Sequence, residues 1–279
     1  MEKILTQTKI DAFERHLRIE ERSDATIEKY LHDVRVFFIF LDGRKVEKEG
    51  VIAYKNYLSK EYAIASANSM LAALNSFFRF LGWLELCVRQ FKVQRKVYVS
   101  DEKELSKSEY LRLLETANRR NRTRLSLILQ TICASGIRVS ELKFITVEAV
   151  MRGEALVNCK GKSRKVFIVK PLQRKLLRYI KEQRIRTGEV FLTRKGKSIP
   201  RNNIWREMKS LCEEANVKPS KVFPHNLRHL FARTFWNLEK DIAKLADILG
   251  HTSINTTRIY IVTTGIEHQR KMENMRLIL

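Results

Sequence analysis

Residues 223–229 read FPHNLRH, and the use made of His225, Arg228 and His229 decides what architecture the rest of the chain serves. His225 and His229 stand four apart, the spacing that places two imidazoles on one helix face, as in zinc proteases. Arg228, three residues after His225, falls beside the first imidazole on such a helix. A structural or catalytic metal calls for neutral imidazoles and usually a carboxylate. Here Asn226 stands where the protease motif carries its glutamate, and Arg228 adds a permanent cation. The nearest carboxylates, Glu213, Glu214 and Glu239, lie outside the motif. A phosphodiester suits these side chains better. A guanidinium offers forked donors to two phosphate oxygens, and an imidazole exchanges a proton near neutrality. Alone, a His-x-x-Arg pair is more often surface decoration, so its company in the sequence has to carry the reading.

That company lies on both sides. In ASGIRVSEL (134–142), Gly136 ends an apolar helix and Arg138 follows. In LADILGHTSINTTRIYI (245–261), Gly250 ends another helix, His251 sits at the turn, and Tyr260 comes nine residues later. Taken singly, Arg138 reads as an ion-pair partner of Glu141, His251 as a helix-end residue and Tyr260 as a core aromatic. Taken with His225 and Arg228 they make two arginines, two histidines and a tyrosine.

Composition narrows the partners. The chain has 279 residues, 44% of them hydrophobic, enough for two domains with real cores. Lys and Arg number 54 against 31 Asp and Glu, a net charge of +23 spread along the chain, which favours polyanions and nucleic acid first. Cys87, Cys133, Cys159 and Cys212 are far apart with no C-x-x-C pair, unlike a zinc ribbon or a disulfide framework. The N-terminal stretch lacks the apolar block of a signal peptide, and no run approaches the roughly 18 apolar residues of a membrane span. The expectation is a soluble, cytoplasmic, nucleoid-associated protein with no membrane partner.

The hydrophobic pattern predicts a mainly α fold with a small β-sheet. Residues 1–90 read as a helical bundle. DATIEKYLHDVRVFFIFL (24–41) sets Ile27, Tyr30, Leu31, Val34, Phe37, Phe38 and Leu41 at helical spacing, and SANSMLAALNSFFRFLGW (66–83) does the same with Met70, Leu71, Leu74, Phe77, Phe78 and Leu81. Lys29, Arg35, Asn68, Asn75 and Arg79 fall off these stripes, where they could meet DNA or simply face solvent. FKVQRKVYVSDEKE (91–104) breaks the pattern and reads as a linker. From residue 105 to 279 a second domain begins with a capping box at Ser106 and Glu109. A buried helix (122–136) follows, then a hairpin from EALVNC (154–159) and KVFIVK (165–170) around the turn-like KGKSR. Pro171 opens the next helix. GEVFLT (188–193) reads as one more strand, and the remainder as helices.

ASGIRVSEL, PHNLRH and LGH followed by TTRIY resemble, in order and rough spacing, the motifs of the tyrosine recombinase or phage-integrase family. The first domain resembles that family's core-binding domain, with Thr26, Tyr30, Asp33, Phe37 and Phe40-Leu41 at the expected intervals. The resemblance covers nearly the whole chain and is closest to the short Xer-like members. It implies an N-terminal helical core-binding domain (1–90) and a C-terminal α+β catalytic domain (105–279) ending in a tail helix. It implies a catalytic set of Arg138, Lys160, His225, Arg228, His251 and the nucleophile Tyr260, with His229 as structural support and Lys162 near enough to contact DNA. Lys160-Gly161 matches the family's hairpin lysine, although Cys159 stands where many members carry glycine and Lys162 is only two residues away. The implied reaction is site-specific cleavage and rejoining of DNA through a 3′-phosphotyrosine, with strands exchanged between two sites and neither metal nor cofactor. The implied partners are double-stranded DNA with inverted half-sites and further copies of the chain, a tetramer in the synapse, with a second recombinase or accessory protein as an open addition. The core-binding pattern begins near residue 10, so an added arm-binding domain is not expected.

A tyrosine hydroxyl, with an ordinary pKa near 10, needs a proton acceptor or cations to act near neutrality. Two rivals share parts of the pattern. A type IB topoisomerase has the same chemistry, but the core-binding-like first domain favours recombination. A DNA-binding protein with an inactive version of the fold would not need the full set of Arg, Lys, His, Arg, His and Tyr. A metal-dependent nuclease would need a ligand cluster that the sequence does not supply.

Overall fold

The structure, a computed structural model, describes residues 3–92, 104–159, 162–251, 253–260 and 273–274. The chain divides into two compact units, Met1–Arg95 and Lys96–Leu279. Lys160 and nearly all of the expected tail helix (265–279) lie outside the described residues.

The first unit is built on four helices, α1 (Gln7–Ile19), α2 (Asp24–Leu41), α3 (Lys48–Glu61) and α4 (Ile64–Phe80). Its core follows the apolar stripes: Ile27, Leu31, Val34, Phe37 and Leu41 of α2 meet Met70, Leu71, Leu74, Phe77 and Phe78 of α4. Phe13 of α1 meets Phe77 edge-on, with ring centroids 5.1 Å apart. Beyond α4 the chain makes one 3-10 turn (Leu84–Leu86) and then runs back along that helix.

Two residues expected to face outward on α4 are used to hold this return. The Asn75 side chain is buried, donating from Nδ2 to the Val88 carbonyl at 2.8 Å and accepting the Val88 N–H at 2.9 Å. Asn68 makes the same pair of bonds to Phe91, at 2.9 and 2.8 Å. Asn75 is therefore not a surface group, which corrects its reading as a DNA contact. The cause is tertiary: a strand-like segment without a sheet needs donors and acceptors, and asparagine supplies both. Arg35 and Arg79 are exposed, whereas Lys29 is paired with the buried Asp33 on the same face of α2.

The second unit runs α5 (Lys107–Arg119), α6 (Thr123–Ser135), a 3-10 segment (Val139–Phe144), α7 (Val147–Arg152), β1 (Glu154–Cys159), β2 (Lys162–Phe167), α8 (Lys170–Glu182), α9 (Arg201–Lys209), α10 (Pro224–Glu239), α11 (Ile242–Leu249) and α12 (Ile254–Arg258). The expected capping box is present: Ser106 Oγ accepts the Glu109 N–H and the Glu109 carboxylate accepts the Ser106 N–H. α6 is the central helix, packed against α5, α8, α9 and α10. The two strands pair antiparallel, from Glu154 with Phe167 to Cys159 with Lys162. β1 coincides with EALVNC, whereas β2 starts inside KGKSR at Lys162 and ends at Phe167, short of the expected Lys170. Ala155, Val157, Val166 and Ile168 face inward, while Leu156 and Phe167 face out.

GEVFLT is not a strand. It makes two isolated bridges, Thr146 with Glu189 and Leu192 with Ser198. Val190 and Phe191 are both buried though adjacent, so the segment has no solvent face of the kind an alternating strand shows. The segment is an inward-turned loop whose apolar residues mimic a strand's composition.

Candidate active site

Two helix ends form the floor of the site. α6 ends on Gly136, at φ +64°, and α11 ends on Gly250, at φ +63°. Both angles suit glycine, and at Gly136 space demands it too: a Cβ there would lie 2.6 Å from Phe231 Cδ1. The last carbonyls of a helix have no donor within it and carry the negative end of its dipole. Arginines from elsewhere in the unit fill that need.

Arg228, on the first turns of α10, is only 1% exposed. Its Nη1 donates to the Gly136 carbonyl, and its Nη2 donates to the Leu249 carbonyl at 2.6 Å. The guanidinium thus bridges the C-termini of α6 and α11. Its Nε is buried with no hydrogen-bond partner among the described residues. Burial, with the Arg138 cation next, pulls its pKa down to about 10, and the neighbouring Tyr260 opposes that shift. No salt bridge joins it to a carboxylate among the described residues.

Arg138 opens the 3-10 segment after Gly136. Its backbone N–H donates to Glu141 Oε2 at 2.9 Å and its Nη1 to Glu141 Oε1 at 2.9 Å. Arg138 is thus the ion-pair partner of Glu141 that its spacing suggests, yet 38% of its side chain remains exposed. Arg164 arrives from β2, on the same face as Val166. It donates to Glu141 Oε2 at 2.6 Å and to the Ile248 carbonyl of α11 at 3.0 Å. In the sequence Arg164 is one cation of a basic turn, and nothing there singles it out for the site. Its alternation with Val166 and Ile168 is the available signal that it faces inward.

Four further side chains meet above this floor. His251, just past Gly250, has Nε2 at 3.0 Å from Arg228 Nη2 and Nδ1 at 2.8 Å from Thr257 Oγ1. Arginine only donates, so Nε2 must accept and the proton of a neutral ring sits on Nδ1, donated to Thr257. Burial first, then Arg228, Arg138 and Arg164, push the His251 pKa down to about 4. Tyr260 is buried, with its ring stacked on His251 at 5.4 Å and 20° and lying 4.3 Å from His229. Its hydroxyl is 3.4 Å from His225 Nε2. His225 keeps an edge in solvent, yet desolvation of its inner side, followed by Arg228, Arg138 and Arg201, lowers its pKa. His229 is held down to about 4, mainly by burial, and packs edge-on against His225 at 4.7 Å. These rings are neutral at pH 7 and can accept protons.

Arg138, His225, Arg228, His251 and Tyr260 therefore share one site. Lys160 lies outside the described residues. Lys162 begins β2 opposite Cys159, at the tip of the hairpin that carries Arg164. Glu141 and Thr257 join the site as buried partners of Arg138 and His251. Among the described residues no three His, Cys, Asp or Glu side chains gather as metal ligands, and no helix is long and apolar enough to cross a membrane.

The profile described as the phage integrase family matches residues 103–264, and that of the phage integrase N-terminal SAM-like domain matches residues 10–84. Tyrosine recombinase XerC of Roseiflexus castenholzii is 32% identical over 93% of this chain and 89% of its own. Tyrosine recombinase XerA of Thermococcus kodakarensis is 32% identical over 96% of this chain and 95% of its own. A crystal structure of a lambda integrase tetramer bound to a Holliday junction shares the fold at a TM-score of 0.73 and 16% identity, covering 91% of this chain and 76% of that one. The chain belongs to the phage integrase family of tyrosine recombinases. Its activity is that of a site-specific recombinase, which cuts and rejoins DNA through a tyrosine.

Proposed function

We propose that Tyr260 is the nucleophile and that Arg138, His225, Arg228 and His251 serve it. The observation that carries this reading is the Tyr260 hydroxyl beside the His225 imidazole, in a site whose guanidinium at Arg228 is bonded to carbonyls rather than to a carboxylate. Tyr260 Oη attacks the scissile phosphorus, passing its proton toward His225 Nε2. The P–O5′ bond breaks, and the 5′ oxygen takes a proton from Lys160. Arg138 and Arg228 stabilise the charge that builds on the non-bridging oxygens. His251, whose Nε2 accepts from Arg228 Nη2 while its Nδ1–H donates to Thr257 Oγ1, holds the Arg228 fork in place for those oxygens. The 3′-phosphotyrosine retains the energy of the broken bond, and attack by a 5′ hydroxyl of a partner duplex rejoins it exchanged.

In this reading the substrate is double-stranded DNA with two inverted half-sites. Four protomers act in the synapse, an assembly of the same number as the lambda integrase tetramer bound to a Holliday junction. Exposed Arg35 and Arg79, with Lys29 and Lys162, are the candidate backbone contacts, together with the half-buried Asn68. A second recombinase or accessory protein would join the same assembly.

The test is covalent capture. The protein is incubated with fragmented DNA of its source in EDTA, denatured with SDS, and the attached DNA is sequenced. One recurrent sequence, absent with Tyr260→Phe, is the expected result and defines the crossover site. Equal capture by Tyr260→Phe, or capture abolished by EDTA, would overturn the assignment.

A further inference from the structure

Glu141 poses a problem for the phosphate clamp. A buried carboxylate that grips Arg138 through both its backbone and its guanidinium orients that side chain but also cancels its charge. A clamp needs the orientation without the cancellation. Arg164 sits where it answers this. Its Nη2 donates to the same carboxylate at 2.6 Å, and its side chain is only 13% exposed. Two arginines on one glutamate leave the group with one net positive charge, and without Arg164 the Arg138–Glu141 pair would be neutral.

The placement of Arg164 is built into the fold. Its stem crosses the end of α11 at Gly250, where a Cβ would fall 2.3 Å from Arg164 Cδ. Its Nη1 is fixed on the Ile248 carbonyl at 3.0 Å, so the guanidinium is aimed by one helix terminus and one carboxylate. We propose that Arg164 is a positioning residue for the strand-cleavage step, acting through Glu141 to keep Arg138 oriented and the group of Arg138, Glu141 and Arg164 net positive for the scissile phosphate. This rests on the assignment of Arg138 to the phosphate clamp.

A charge role and a purely structural role part company on a neutral substrate. Duplexes carrying the crossover sequence recovered by covalent capture would be made with either a phosphodiester or a methylphosphonate at the scissile position. The methylphosphonate lacks the charged non-bridging oxygen, so it makes little demand on the cation. Arg164→Gln keeps an amide donor for Glu141 but no charge, and Arg164→Lys keeps the charge but not the fork. Arg164→Gln should cleave the phosphodiester roughly ten- to a hundredfold more slowly than the unaltered protein, while losing less than about threefold on the methylphosphonate. Arg164→Lys should recover most of the phosphodiester cleavage, which also guards against a glutamine variant that folds poorly. Equal losses on the two substrates, or full phosphodiester cleavage by Arg164→Gln, would overturn the role of Arg164. If the unaltered protein forms no Tyr260-dependent adduct on the phosphodiester, the assignment under Proposed function fails and this inference falls with it.

Discussion

Asn75 in the first unit and Arg228 in the second are both polar, both buried and both bonded to backbone from a distant part of the sequence. They do opposite things. Asn75 meets the Val88 N–H and carbonyl with its own carbonyl and N–H, and the exchange is complete and neutral. Arg228 meets two carbonyls, which satisfy donors but leave most of a unit charge in a buried place. A closed neutral pair is a structural fastener, whereas a buried cation held only by dipoles is poised for an anion. The contrast teaches that burial of a polar group does not distinguish scaffold from site. The balance of charge among its partners does.

That contrast can be broken by substitution. The largest effect is expected from Arg228→Lys, which keeps the charge but cannot span the Gly136 and Leu249 carbonyls with a planar fork. Strand cleavage should fall about 10²–10³-fold, read as the rate of covalent adduct on the crossover duplex; cleavage within threefold of the unaltered protein would make Arg228 another fastener. Next comes Gly136→Ala, which forces a side chain into the left-handed region and against Phe231. It should cost about 2–4 kcal/mol of stability by denaturant unfolding, and a neutral result would mean that α6 ends without strain. Asn75→Ala should cost less, about 1–3 kcal/mol for the unpaired Val88 groups. Its cleavage rate below the unfolding transition should be unchanged, and a selective loss of cleavage would return Asn75 to the DNA-contact set.

The smallest effect concerns pH. His229 and His251 have folded pKa values near 4, below the ordinary value of 6.5. Between those values the unfolded chain binds protons that the folded one refuses, so stability rises with pH across that window. The melting temperature should therefore hold above pH 7 and decline as the pH falls from about 6.5 toward 4. The decline should be shallower in His229→Gln, and an identical profile would mean that this ring does not contribute.

Much of this is legible in the chain alone. The stripes of α2 and α4, the capping box at Ser106 and the stops at Gly136 and Gly250 are local signals, and local physics settles them. The proposed group of Arg138, His225, Arg228, His251 and Tyr260 can be assembled from motifs because three short stretches carry it. What the sequence conceals depends on partners remote along the chain. Asn75 lies outside the apolar stripe but beneath a returning segment, GEVFLT has a strand's composition without a strand's neighbours, and Arg164 is one basic residue among several until β2 is laid against α11.

The sequence by itself determined the helices, their ends, the family's motifs and the side chains available for chemistry, because periodicity, glycine and hydrogen-bonding inventory act over a few residues. Only the tertiary structure decided which polar groups are closed and which are left charged. That outcome depends on carbonyls of Gly136, Ile248 and Leu249 meeting arginines from positions 164 and 228, and on one carboxylate at Glu141 being shared by two cations. Electrostatic balance is a property of what lies within a few ångströms, and the chain order does not record it.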